Sequence, residues 1–274
     1  MSASSVLVDV ADGVATLTLH APEKRNAFDA GTGRELAAAY ERCDADDDVR
    51  AVVLTGTPPA FCAGADLSAG ESTFAGTDDG FSAAGVRFPA FAVRKPVIAA
   101  VNGHALGIGL TLALQCDVRF LAADARYGVV QTRLGLLGDA WSHWVLPRMI
   151  GVSRAAEVLL AGSTFDGHRA LELGLGSRVL PAEEVLPAAL AWARDVATHT
   201  APQSVAASKQ LLWAAFDLDA AEVERLETAW HRRLMDHDDV REGARAFRER
   251  RAPQWTGRVS DLPPAPRPFR PDAG

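Results

Sequence analysis

Residues 96–114 read PVIAAVNGHALGIGLTLAL. The apolar run Val97–Val101, set between a proline and a polar triplet, has the length of a buried strand. Asn102, Gly103 and His104 form a tight turn, and a helix opens at about residue 107, marked by Gly107 and Gly109. A helix reached from such a turn aims free backbone N–H groups out of its first turn. Those donors suit an oxygen that gains negative charge during a reaction, such as a carbonyl becoming an enolate. The same letters also fit a purely structural strand–turn–helix junction. A membrane span does not fit, because the polar triplet divides the run into a strand-length and a helix-length piece.

Around this stretch the chain alternates strand and helix signals. Val6–Val10 and Val14–Leu19 alternate apolar and polar residues about Asp12-Gly13, which predicts a hairpin. Asp29 is placed to cap a helix carrying Leu36, Tyr40 and Cys43 on one face. Val49–Thr55 reads as a buried strand. Residues 68–82 are rich in Gly, Ser and Asp and read as a mobile loop, with a helix expected after it towards Arg94. A strand at 117–121 and a short strand near Tyr127 follow. Repeated strand-plus-helix units predict α/β layering. Three helices are expected in 201–250: Ala206–Phe216, Ala220–His237 and a short one near Val240–Arg250. The Pro- and Arg-rich tail after Pro253 reads as extended or disordered.

With 274 residues the chain can bury a large core. Its 48% hydrophobic and 23% charged content is that of a globular protein. The net charge of −7 argues against non-specific nucleic-acid binding, though a local basic patch could still hold an anion. Cys43, Cys62 and Cys116 are too few and too scattered for a disulfide framework or a metal site. The N-terminal MSASSVLVDV lacks the charge and apolar pattern of a signal peptide, so a cytoplasmic protein without membrane partners is expected.

AFCAGADL at 60–67 and the NGHALGIG run at 102–109 together resemble the enoyl-CoA hydratase/isomerase (crotonase) family. APEKRNAF at 21–28, LGLLGDAWSHWVLPRMIG at 134–151 and EGARAFRERRAPQW at 242–255 extend the resemblance, in order, over residues 6 to about 258. It implies a spiral core of β-β-α units over 1–200. A C-terminal helical trimerisation region at 201–258 and a tail at 259–274 complete the expected plan. It also implies an acyl-CoA thioester as substrate. Coenzyme A would enter as the acyl carrier, with no other cofactor and no metal. One scaffold of this kind runs several chemistries, so the reaction must be argued from the site.

The resemblance implies an oxyanion hole made by the backbone N–H groups of Ala65 and Ile108. The family usually has glycine at the second position; isoleucine keeps the donor and adds a branched side chain. Family hydratases add water with two glutamates, and the matching positions here are Thr111 and Gln131. A threonine hydroxyl and a glutamine amide do not exchange protons usefully near neutral pH. Asp139 stands where the family's aspartate-using isomerases carry their acid/base. Burial among Trp141, Trp144 and Leu137 would raise its pKa, and the alternative role is a cap for a helix at 141–150. His143, four residues on, could share a helix face with it as a dyad. A dehalogenase of the family also uses an aspartate here, but Gln131 replaces its aromatic neighbour.

For the carrier, Lys24 and Arg25 are expected at the phosphates. Ala63, Asp66 and Leu67 are expected beside the adenine and pantetheine. Phe247 and Arg250 would reach coenzyme A in the same or a neighbouring subunit, or else form a solvated helix end. The resulting expectation is an enoyl-CoA double-bond isomerase. The alternatives are a hydratase and a catalytically weak acyl-CoA-binding paralogue. Leu211, Leu212, Trp213, Phe216, Leu226, Trp230 and Leu234 offer more apolar surface than a peripheral helix pair needs, which predicts a homotrimer or a dimer of trimers.

Overall fold

Strands β1 (Val6–Ala11) and β2 (Val14–Leu19) form the hairpin that the alternation predicts. Asp12 and Gly13 both have positive φ, 53° and 75°, as a two-residue hairpin turn requires. The computed structural model describes residues 4–68, 70 and 82–263. Most of the loop expected at 68–82, and the tail from 264 on, lie outside the described residues.

From β3 onward the chain repeats one plan. The strands come in pairs: β3 (Ala51–Gly56) with β4 (Ala60–Cys62), β5 (Val97–Val101) with β6 (His104–Leu106), and β7 (Val118–Ala122) with β8 (Tyr127–Gly128). The first of each pair joins a six-stranded sheet, β1-β2-β3-β5-β7-β9, with β9 at Arg178–Leu180; the second joins a three-stranded sheet, β4-β6-β8. All pairings except the β1/β2 hairpin are parallel. This is the α/β spiral of β-β-α units that the motifs imply. β5 is buried at every position because β3 and β7 flank it, so it reads as a continuous apolar run. His104, read as part of the turn, instead begins β6.

Helix α1 (Ala30–Ala45) starts at Asp29, whose carboxylate accepts from the Thr32 N–H at 2.7 Å, and it buries Leu36, Tyr40 and Cys43. Helix α2 (Ile108–Leu114) is buried along its whole length. The helix expected towards Arg94 is only a 3-10 turn at Ala90–Ala92. Pro89 precedes it and Pro96 holds Lys95 out of helical conformation, leaving too little chain for a full turn series. Helix α3 (Ser142–Ala161) is two helical segments broken at Gly151, where φ is 76° and ψ 159°, so the first segment ends at residue 150 as expected. Helix α4 (Gly167–Leu173) leads to β9, and α5 (Ala182–His199) lays Val185, Ala189, Ala193 and Ala197 across β3, β5 and β7.

The C-terminal helices are α6 (Pro202–Ala214), α7 (Ala220–Met235) and α8 (Asp238–Glu249). Three of the residues expected to form a subunit surface, Trp213, Phe216 and Trp230, serve the chain's own core. Trp213 is buried, and its ring packs on Phe91, Trp144 and Phe216. Trp230 covers Ala206, Val259 and Leu262, whereas Leu212 is 63% exposed. The described end of the chain is anchored: Arg94 donates to the carbonyls of Val259 and Leu262 and pairs with Asp44.

One buried polar cluster locks α6 to the sheet. Asp117 accepts from the Val97 N–H and the Trp213 indole, each at 2.7 Å, and pairs with Lys209 at 2.7 Å. Lys209 also donates to the carbonyls of Ala90 and Lys95, so its buried ammonium is fully engaged.

Candidate active site

The segment 25–28 runs beside 63–66, joined by Ala63 N–H to Arg25, Phe28 N–H to Gly64 and Asp66 N–H to Phe28. In this ladder Ala65 is the bridge residue opposite Phe28, and its N–H has no hydrogen-bond partner among the described residues. The second donor follows from two glycines. Gly107 turns the chain into α2 with φ 52° and ψ −123°, a conformation that side chains with a Cβ rarely adopt. A Cβ at Gly109 would collide with the Cys62 carbonyl, so only glycine lets the first turn of α2 press against the end of β4. Ile108 begins that turn, and its N–H also has no partner among the described residues. Its branched side chain is buried and points at Gly85.

Asn26 is a supporting residue that sequence reasoning missed. It is 3% exposed, with φ 56°; its amide donates to the carbonyls of Thr57 and Ala60 at 2.8 and 2.7 Å and accepts from the Ala21 N–H. It fastens the 21–28 loop to the β3–β4 turn. An asparagine between a basic pair and an apolar pair is the one local signal, since Asn tolerates left-handed backbone.

Asp139 is half-buried and faces α2, where the Thr111 hydroxyl donates to its Oδ1 at 2.8 Å. Burial pushes this carboxyl up from its ordinary value, and the hydrogen bond from Thr111, together with the nearby Gln131 amide, holds back part of the rise. Its side chain does not cap α3. The helix begins at Ser142 after Ala140 and Trp141, both of positive φ, and only the Asp139 carbonyl reaches the Ser142 N–H. The dyad with His143 does not form. Asp139 lies outside the helix, so the four-residue spacing has no helical meaning, and the nearest partner of the exposed His143 ring is the Ser142 hydroxyl at 3.5 Å. Leu137 is 70% exposed and plays no part in burying Asp139. Gln131 sits at the start of a 3-10 turn beside Gly107, 7% exposed, and neither its amide nitrogen nor its amide oxygen has a hydrogen-bond partner.

A chamber of about 550 Å³ opens onto Asp139. Its walls include Ala83, Pro89, Phe91, Trp141, His143 and Trp144. Phe91 meets Trp141 edge to face at 5.2 Å, and Trp144 stacks on Trp213 at 5.9 Å. The C-terminal helix α6 thus stiffens the chamber wall from behind.

Lys24 and Asp66 form an ion pair of 2.9 Å at the surface beside Ala65. Asp66, bonded by Lys24 and by the Ser68 N–H, is held down to about 2. Arg25 has left-handed backbone, and Leu67 is 50% exposed. Ala63, Ala65, Asp66 and Leu67 therefore lie together with Lys24 and Arg25 on one rim. Among the described residues no helix is long and apolar enough to cross a membrane, and no group of three or more His, Cys, Asp or Glu could hold a metal ion.

The family model for enoyl-CoA hydratase/isomerase matches residues 9–258. The chain belongs to the enoyl-CoA hydratase/isomerase family. A crystal structure of a probable enoyl-CoA hydratase/isomerase from Mycobacterium abscessus is 53% identical. It covers 92% of this chain and 99% of its own, with a TM-score of 0.90. A probable enoyl-CoA hydratase of Mycobacterium bovis is 36% identical over 261 residues, 94% of this chain and all of the relative. The 1,2-epoxyphenylacetyl-CoA isomerase of Escherichia coli is 34% identical over 265 residues, 92% of this chain and 98% of the relative. The family acts on acyl-CoA thioesters.

Two candidate carrier contacts of this family member lie apart from the rim. Phe247 is 85% exposed on α8, and Arg250 caps that helix. Among the described residues no hydrogen bond or ion pair joins α8 to 24–28, 63–67 or Asp139.

Proposed function

We propose that the chain shifts a carbon–carbon double bond in an enoyl-CoA thioester, with Asp139 as the sole proton carrier. The Asp139 carboxylate takes a proton from one carbon of the acyl group. The electron pair moves into the conjugated system and onto the thioester oxygen, giving a dienolate. The Ala65 and Ile108 N–H groups hold that oxygen. The Asp139 carboxylic acid then returns the proton to a different carbon, so no atom is gained or lost. Lys24 and Arg25 meet the carrier's phosphates, with Ala63, Asp66 and Leu67 beside the adenine and pantetheine.

The observation that carries this reading is the setting of Asp139. It is a half-buried carboxylate whose pKa is raised by burial, and a neutral hydroxyl orients it at the edge of a chamber. A raised pKa brings a carboxylate nearer the range in which it both takes and returns a proton. The partners of water addition are missing, because Thr111 and Gln131 supply a hydroxyl and an amide. Hydration is the second reading, and the names of relatives such as the Mycobacterium bovis hydratase favour it. Ultraviolet absorbance separates the two. An isomerase creates the conjugated band from a 3-enoyl-CoA, and a hydratase bleaches that band in a 2-enoyl-CoA. Absence of both changes across a panel of chain lengths would leave a binding protein and sink the proposal.

The same reading brings Phe247 and Arg250 to coenzyme A across a subunit boundary, in a trimer or a dimer of trimers. Light scattering tests it: three or six times the 29.1 kDa chain mass supports the assembly, and a single chain mass rejects it.

A further inference from the structure

The proposed reaction uses the N–H of Ile108 and leaves its side chain without a role. That side chain is buried, and its δ-methyl reaches the segment 82–86, which walls the chamber. Ser82, Ala83 and Ala84 line the chamber with Asp139, and the Ala83 carbonyl accepts from the Ala140 N–H at 2.8 Å. The segment is therefore tied to the residue that follows Asp139. Its other end is fixed by close approach at Gly85. A Cβ on Gly33 of α1 would stand 2.3 Å from the Gly85 carbonyl oxygen, so backbone meets backbone there. A Cβ on Gly85 itself would stand 2.7 Å from Ile108 Cδ1 and 3.7 Å from the Phe28 ring. Phe28 is the bridge partner of Ala65. The segments that carry both candidate donors thus press on Gly85, and Gly85 leads through Ala83 to Ala140 and Asp139. A close-packed contact of this kind transmits a displacement rather than absorbing it.

We propose that the Ile108 side chain is a positioning residue: its δ-methyl, set against Gly85, fixes the distance at which segment 82–86 holds Asp139 from the Ile108 N–H. Shortening the side chain at 108 keeps the donor and removes this spacer. The spacing matters because the thioester oxygen and the carbon that gives up its proton belong to one conjugated unit of fixed length. The donor and the carboxylate must stand at a matching separation, and a misplacement of about 1 Å can cost about 10²-fold in rate. The effect on rate rests on the proposed reaction; the packing behind it does not.

A size-swap cycle tests it. Gly85→Ala adds a methyl where Ile108 Cδ1 stands, and Ile108→Val removes that δ-methyl while keeping a branched side chain. The strain of alanine at the Gly85 φ of 71° is the same in both backgrounds, so it cancels in the cycle. In the 3-enoyl-CoA absorbance assay Gly85→Ala should lower kcat by about 10–100-fold, with KM within about threefold of the wild type. The double variant should recover kcat to within about threefold of the wild type, because one methyl replaces the other. Hydrogen exchange gives a readout free of turnover. The Ala140 N–H should exchange at least about tenfold faster in each single variant and return towards the wild-type rate in the double variant. Additive effects in the cycle overturn the proposal. So do single variants that melt lower with kcat and Ala140 exchange unchanged, since the contact would then be packing alone. A raised KM with unchanged kcat would assign the contact to carrier binding and also overturn it. If Gly85→Ala does not fold, Ile108→Val decides: a lower kcat with faster Ala140 exchange supports the spacer, and no change in either rejects it. If the wild type moves no double bond, the proposed reaction fails, and the exchange cycle still supports the spacer by rescue or rejects it by the absence of rescue.

Discussion

Asp117 and Asp139 are two aspartates in the same chain, both largely withdrawn from water, and their surroundings give them opposite uses. Asp117 receives a backbone N–H, an indole N–H and an ammonium group, each at 2.7 Å. Every strong interaction it can make is already made, and it ties α6 to β5. Asp139 receives one neutral hydroxyl and faces a chamber, and burial raises its pKa. A carboxylate saturated with donors and a cation is held in one place. One left with only neutral neighbours keeps a lone pair and a proton affinity available for chemistry.

The largest effect that sharpens this contrast is expected from Asp139→Asn. The amide keeps the shape but cannot accept a proton, so turnover on any substrate of the wild type should fall by about 10²–10⁴-fold. Stability should move the other way. The folded-state pKa of Asp139 lies above its unfolded value. The group therefore adds stability below the unfolded pKa and loses that contribution as pH rises through the folded one. At neutral pH the ionised carboxylate is a liability, and the asparagine variant should melt at or above the wild type. A variant within threefold of wild-type rate would end the catalytic assignment.

Lys209→Met breaks the other half of the comparison. It leaves Asp117 buried without its cation, a change that costs about 3–5 kcal/mol in stability. Chemical denaturation measures it, and a loss below about 1 kcal/mol would show that the pair is not the lock described here. Trp213→Phe is milder. It removes one hydrogen bond to a charged group, worth about 1.5–3 kcal/mol, and should leave the pH profile of turnover unchanged. The smallest effect belongs to Thr111→Val. The hydroxyl lowers the Asp139 pKa, so its loss should move the acid limb of kcat/KM to higher pH with only a modest fall in the plateau rate. An unmoved limb would mean that the 2.8 Å hydrogen bond does not tune the carboxyl.

The helices and strands of the first 150 residues were largely legible, for a local reason. The hairpin turn, the Asp29 cap and the β5 run are written in neighbouring letters, and each signal matches the element found. The errors fall where distant chain decides. A helix before Arg94 is forbidden by prolines on both sides of a short segment. Trp213 and Phe216 looked like spare apolar surface until the fold brought Phe91 and Trp144 against them. Asn26 donates to the carbonyls of Thr57, Ala60 and Phe61, tertiary hydrogen bonds that no local pattern announces.

The sequence by itself determined the family, the spiral of β-β-α units and the residues, Ala65, Ile108 and Asp139, from which a candidate site is argued. Those are properties of motif order, glycine placement and apolar period, which survive without coordinates because they are short-range. Only the tertiary structure decided the partners of each polar group. Thr111 and Asp139 are 28 residues apart in sequence, and Asp117 and Trp213 are 96 apart. Spacing separates the Asp139–His143 pair that does not form from the Thr111–Asp139 pair that does in no readable way. The strength and proton affinity of a carboxylate depend on which dipoles, charges and apolar walls surround it in space, and that arrangement exists only once the chain has folded.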